Sequence, residues 1–125
     1  SSLKTIISQR LVRRLCSHCK NKQKISPESA ELFKLNKSQD VYYPVGCDHC
    51  NGTGYQGRIA IAECIQVDKK LKDLIHNSAS ENEISDYVFK DNHSIEQASV
   101  RLILDGVTSC EEIIRVNNIK EDASI

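Results

Sequence analysis

Four cysteines stand in two matching spacings, Cys16 with Cys19 in CSHC and Cys47 with Cys50 in CDHC, and 27 residues separate the pairs. Each CxxC turn can present two sulfurs to one ion while its backbone amides stabilise their charge. Two such turns supply the four ligands of a closed tetrahedral zinc site. The interval exceeds the roughly 15 to 20 residues common between such pairs, so an element within it must fold the chain back. Redox chemistry at one CxxC is the rival reading, but redox motifs come singly whereas two pairs form one cage. Four sulfurs leave no open position for water, which makes a metal there structural rather than catalytic. His18 and His49, between the paired cysteines, read as bystanders beside a complete cysteine set.

A zinc ion held by four thiolates leaves a net negative charge that needs amide donors or cations nearby. Arg13, Arg14, Lys20, Lys22 and Arg58 are the candidates by position. The glycines of CDHCNGTGYQGR serve the same site: Asn51, Gly52 and Gly54 allow a tight turn and close approach of amides to sulfur. The two remaining cysteines, Cys64 and Cys110, sit in apolar-periodic segments and read as buried small apolar residues.

The elements that must position these sulfurs follow from periodicity. In SSLKTIISQRLVRRLC, Leu3, Ile7, Leu11 and Leu15 recur every four residues, which predicts an amphipathic helix. Ser26 followed by Pro27 predicts a short helix between the cysteine pairs, with Phe33 and Leu35 on its buried side. Ile59, Ile61, Ile65 and Val67 alternate with Ala60, Ala62, Cys64 and Gln66, a strand with one branched face on which Glu63 is the misfit. From Asp68 the period is helical. Capping boxes at Ser80 with Glu83, Ser94 with Gln97 and Thr108 with Glu111 mark three helix starts, and Asp105-Gly106 marks a stop. The tail NNIKEDASI is expected to fray.

The fold class expected is therefore mainly α with a small zinc-binding β element, short helices packed around the four-cysteine insert and a strand or hairpin. Its expected divisions are a leading helix over 1–15, a zinc-binding subdomain over 16–67, a helical subdomain over 68–118 and a flexible tail over 119–125. A chain of 125 residues is one domain by length, or a compact piece of something larger. Lys plus Arg and Asp plus Glu both total 17, so the overall field does not draw the chain to nucleic acid or anionic lipid. No apolar run approaches the roughly 20 residues of a membrane span, and the clustered cysteines fit a reducing compartment better than a disulfide framework. The expectation is a soluble, cytosolic protein without direct membrane insertion.

GxxxxGK[ST], HExxH and GxSxG are all absent, so no autonomous active site is legible. Taken as whole phrases, SSLKTIISQRLVRRLCSHCK, YYPVGCDHCNGTGYQGRIAIAECIQVDKKLKDLI and LILDGVTSCEEIIRV resemble the carboxy-terminal region of the bacterial type II secretion and type IV pilus assembly ATPases, from Ser1 to about Val116. The resemblance implies a hexameric cytoplasmic motor that hydrolyses ATP with Mg2+ and works through a platform protein of the inner membrane. It gives Cys16, Cys19, Cys47 and Cys50 the role of zinc ligands. It also places the family's nucleotide-binding motifs before residue 1, so the chain reads as a fragment that is inactive alone.

Two other readings compete. CDHCNGTG fits one CxxCxGxG repeat of a DnaJ-like zinc-dependent chaperone module, which needs four; CSHCKNKQ lacks the glycines. A zinc-ribbon nucleic-acid binder using Arg10, Arg13, Arg14, Lys20, Lys22 and Lys24 is opposed by the neutral total and by the lack of interleaved aromatics.

Overall fold

The computed structural model describes residues 4–90 and 94–117. The expected fraying of the tail and the leading residues Ser1 to Leu3 lie outside them, apart from Asn117. In chain order the elements are β1 (Lys4–Leu15), β2 (Asn21–Lys24), α1 (Pro27–Phe33), β3 (Asp40–Tyr43), a single 3-10 turn (Asp48–Cys50), β4 (Tyr55–Val67), α2 (Lys69–His76), α3 (Glu81–Val88), α4 (Ile95–Leu104) and α5 (Cys110–Asn117). Strand β1 pairs with β4, and β2 with β3. Among the described residues, four strands beside five short helices make a mixed α/β fold rather than a mainly α one.

The expected leading helix is a strand, and the reason is arithmetic. Residues four apart share a face of a helix, but they also share a face of a strand, because four is a multiple of two. Thr5, Ile6, Ile7 and Val12 are β-branched and lose side-chain freedom in a helix. With β4 available as partner, pairing wins. Within the strand Val12 and Leu15 are buried while Leu11 is exposed.

The strand after the glycines is as expected, extended back to Tyr55. Ile61 is buried and Ile59, Ile65 and Val67 are half-buried, whereas Ala60, Ala62, Cys64 and Gln66 on the other face are exposed. Cys64 is thus not a buried apolar residue, although Cys110 is. Ser26 caps α1, its hydroxyl accepting from Ser29 N at 3.2 Å. The helix closes at Lys34 in a left-handed conformation, so Leu35 falls outside it, and Ala30 is its buried residue.

Strands β2 and β3 have no counterpart in the expectation, since the NKQK of β2 is exposed throughout and carries no apolar alternation. Their antiparallel register sets Asn21 against Tyr43 and Lys24 against Asp40, with α1 inside the loop. This ladder folds back the long interval between the cysteine pairs.

The boxes at Ser80 with Glu83 and Ser94 with Gln97 are formed. The third is displaced by one residue. Ser109 accepts from Glu112 N at 3.0 Å and opens α5, while the Thr108 hydroxyl donates to Arg13 O at 2.8 Å. Gly106 stops α4 with φ +75°.

By contacts the chain divides into two compact units, Ser1–Gln9 with Ala62–Ala98, and Arg10–Ile61 with Ser99–Ile125. The second holds the cysteines and a core of Val12, Leu15, Ile25, Val41, Ile61, Ile103 and Ile113. In the first, α2 and α3 form a helical hairpin around Leu71.

Candidate metal centre

Each cysteine pair is delivered by a turn at the end of an extended segment. Strand β1 ends at Leu15, and the next four residues turn so that Lys20 N–H returns to Cys16 O at 3.0 Å. The second pair lies on the 3-10 turn, which ends with Asn51 in the left-handed region at φ +57°. There the chain reverses through Gly52 and Gly54. At Gly54 a Cβ would stand 2.5 Å from the Cβ of Pro44, so only glycine fits. The two turns are joined by Cys16 N–H donating to Gly54 O at 2.9 Å.

The result brings the four sulfurs of Cys16, Cys19, Cys47 and Cys50 within 4.8 Å of one another. Cys16 lies 3.8 Å from Cys47, Cys19 lies 3.9 Å from Cys50, and Cys47 lies 3.8 Å from Cys50, sulfur to sulfur. No disulfide joins them, and Cys16 and Cys50 are buried. Four soft donors converging at this spacing can hold one metal ion.

Backbone amides, one of the two kinds of donor expected, point at the sulfurs. Gly46 N–H donates to Cys19 Sγ at 3.2 Å, and Cys50 Sγ receives Cys47 N–H at 3.2 Å and Gly54 N–H at 3.1 Å. The effect on ionisation differs between sulfurs. Burial dominates at Cys47 and pushes its thiol up to about 11. Burial also opposes charge on Cys50, but the amides of Cys47 and Gly54 and the neighbouring thiols outweigh it and bring that thiol down to about 6. Without a cation the cluster favours charge on one sulfur and resists it on its neighbour. A divalent ion held by these four sulfurs would supply the positive charge that lets the rest ionise.

The arginine and lysine that flank the cluster are engaged elsewhere. Arg13 donates through its backbone N, Nε and Nη2 to the Glu112 carboxylate at 2.9, 3.0 and 2.8 Å, with its guanidinium 4.1 Å from the Tyr55 ring centroid. Arg115 grips the same carboxylate at 3.0 and 2.8 Å. Burial would raise Glu112, but the two arginines prevail and hold its carboxyl down at about 2. Lys20 Nζ donates to Gly106 O at 2.9 Å. His18 and His49 are exposed and stack on each other, ring centroids 3.7 Å apart and planes 10° from parallel. The converging group of donor atoms among the described residues consists of the four cysteines.

The four cysteines singled out in the sequence are the ones whose sulfurs converge. Sequence reasoning missed Gly46 as an amide donor and Glu112 as the partner of Arg13. Glu112 is separated from Arg13 by 99 positions and carries no local signal.

Among the described residues, no helix is long and apolar enough to cross a membrane. Residues 1–115 match the family described as type II/IV secretion system protein. The chain is 39% identical over 121 residues to the type IV pilus assembly ATPase TfpB of Acinetobacter baylyi, covering 93% of this chain and 21% of that protein. It is 37% identical over 118 residues to the type II secretion system ATPase E of Vibrio cholerae, covering 93% of this chain and 24% of the relative. With the type IV pilus assembly ATPase PilB of Thermus thermophilus the identity is 35% over 114 residues, 87% of this chain and 13% of the relative. The chain thus spans less than a quarter of the length of these relatives. A family match along nearly its whole length, joined to these identities, makes it a member of the type II/IV secretion system protein family.

Proposed function

We propose that the chain is the carboxy-terminal metal module of an ATPase that powers type II secretion or type IV pilus assembly, with one structural zinc held by Cys16, Cys19, Cys47 and Cys50. The observation that carries this reading is the sulfur geometry. Zinc binds thiolate at about 2.3 Å, and a tetrahedron of that radius has sulfur-to-sulfur edges of about 3.8 Å; the Cys16–Cys47, Cys19–Cys50 and Cys47–Cys50 pairs lie at 3.8, 3.9 and 3.8 Å, and all four sulfurs lie within 4.8 Å of one another. When bound, the ion supplies cross-linking and charge neutralisation, not reaction chemistry, because four sulfurs fill its coordination shell. The amides of Gly46, Cys47 and Gly54 orient the sulfurs and take up their residual charge.

In this reading residues 16–67 are the metal-binding subdomain, 68–118 the helical subdomain and 119–125 a tail, with β1 leading in from the motor core. The parent works as a cytoplasmic hexamer beside the inner membrane, through a platform protein, and its ATP and Mg2+ are bound outside this chain. The relatives named as ATPases support the motor assignment. The chain carries no GxxxxGK[ST] segment and does not hydrolyse ATP by itself.

The test is elemental analysis of the purified chain with ATP hydrolysis assayed on the same sample. One zinc per chain and no turnover is the expected result. Two zinc ions per chain would favour a chaperone-like module instead, and no zinc with a reducible disulfide would overturn the site.

A further inference from the structure

Segments flanking all four cysteines reach one short stretch, Gly106 to Glu112, that supplies no ligand. Ahead of Cys16, Leu15 N–H donates to Val107 O at 2.8 Å, Arg13 O accepts from the Thr108 hydroxyl at 2.8 Å, and Arg13 grips Glu112. Directly after Cys19, Lys20 Nζ donates to Gly106 O at 2.9 Å while lying 4.7 Å from the Tyr42 ring centroid. Ahead of Cys47, Tyr42 closes on Gly106 so tightly that a Cβ there would stand 2.8 Å from its ring. Beyond Cys50, the Tyr55 hydroxyl meets the Ser109 hydroxyl at 2.6 Å. Both partners in each contact belong to the unit that contains the cysteines.

We propose that residues 106–112 are a latch linking occupancy of the cysteine site to the docking of α5, so that metal binding and the ordering of α5 are one coupled equilibrium. This inference rests on the reading of the four cysteines as a metal site. Holding the sulfurs in place fixes the backbone at Arg13, Leu15, Lys20, Tyr42 and Tyr55, which are the partners that residues 106–112 require. Coupling of this kind is reciprocal: if the metal orders α5, then breaking the latch weakens the metal. The α2–α3 hairpin makes none of these contacts and is left out of the linkage.

The sign of one substitution separates the latch from simple electrostatics. Replacing Glu112 by glutamine removes a negative charge from the neighbourhood of an anionic thiolate cluster and frees two arginines. Electrostatics alone then predicts equal or tighter metal binding, whereas the latch predicts weaker binding.

The experiment is competition for zinc between a chromogenic chelator and the 125-residue chain, as wild type, Glu112→Gln, the uncharged variant Thr108→Val, and Leu71→Ala in the other unit. Weakening by about fivefold or more is expected for Glu112→Gln and Thr108→Val, with Leu71→Ala within about twofold of wild type. Hydrogen exchange on the wild type after zinc removal should show α5 deprotected and α2–α3 retained. Should Glu112→Gln fail to fold, Thr108→Val and the exchange measurement decide. Wild-type affinity in Thr108→Val together with equal or tighter binding in Glu112→Gln, or α5 protection that survives zinc removal, overturns the latch while leaving the metal site standing. A wild type that takes up no zinc overturns both.

Discussion

Leu71 is the only buried apolar side chain in the unit containing α2 and α3 among the described residues, whereas the cysteine-bearing unit buries aliphatic side chains from β1, β3, β4, α4 and α5. Their polar contacts differ in the same way. The helical hairpin is held largely by bonds between near neighbours, such as Asp68 capping Leu71 N at 2.9 Å and Ser80 capping Glu83 N at 3.1 Å, with the Tyr87 hydroxyl on Asp68 across 19 positions. The cysteine unit is held by bonds spanning most of the chain, from Arg13 to Glu112 and from Lys20 to Gly106. Contacts that bridge long loops are made only after much chain entropy has been lost. Four sulfurs converge in the region of long-range contacts, whereas local caps recur in the other.

The strongest test of this contrast is Cys47→Ser. Structural zinc contributes on the order of 10 kcal/mol of folding free energy, more than a unit of this size has to spare. The expected outcome is loss of metal and of amide protection in Arg13, Leu15 and α5, with the helicity of α2 and α3 retained. Metal analysis and residue-resolved hydrogen exchange read both halves of the prediction. Full metal content with an unchanged thermal transition would remove the sulfurs from any role in stability.

A smaller effect separates the units by pH. Glu112 sits at about 2 in the folded chain against an ordinary 4.5, because Arg115 and Arg13 outweigh its burial. A carboxyl whose folded value is depressed contributes stability that is fully present above about 4.5 and is lost as pH falls through the interval down to about 2. The stability difference between wild type and Glu112→Gln, measured on zinc-loaded chains by denaturant titration, should be about 2 kcal/mol at neutral pH and should shrink across that interval. A difference that stays constant from neutral pH to about 2 would show that the ion pairs do not carry it.

How much of this was legible in the sequence depended on the range of the contacts. The four sulfurs, Asn51 with its following glycines, β4 and the caps at Ser26, Ser80 and Ser94 all announce themselves within a few residues, because the chemistry that fixes them is local. Strand β2 did not, because NKQK is exposed on both faces and owes its structure to its ladder with Asp40–Tyr43. Strand β1 was misread because a spacing of four satisfies both helical and extended periods, and only its partner β4 resolves the ambiguity. The third cap was displaced from Thr108 to Ser109 because the Thr108 hydroxyl is taken by Arg13 O. The glutamate three residues after Ser109 is likewise held by arginines rather than by the helix start. In each case a contact distant in sequence overrode a sound local signal.

Glu63 sharpens the same point at the smallest scale. On β4 it interrupts a row of branched side chains, and completing the row with isoleucine satisfies both the alternation and the strand propensity. The structure gives the carboxylate a task that the pattern does not contain: it accepts Ile95 N–H, at the first turn of α4, at 2.7 Å. Ser94 and Gln97 cap each other beside it, at 2.9 and 3.1 Å, so Glu63 adds a further acceptor for the amides at this helix start. Glu63→Gln keeps an acceptor and loses the charge facing the helix N-terminus, an expected cost of about 0.5 kcal/mol that fades as salt rises. Glu63→Ile leaves the amide without its partner and should cost about 1 to 2 kcal/mol despite the added apolar surface. Chemical denaturation of the two variants at low and high ionic strength reads both effects. An isoleucine variant more stable than wild type would mean that packing on the branched face outweighs the helix cap, and that the alternation alone was the better guide.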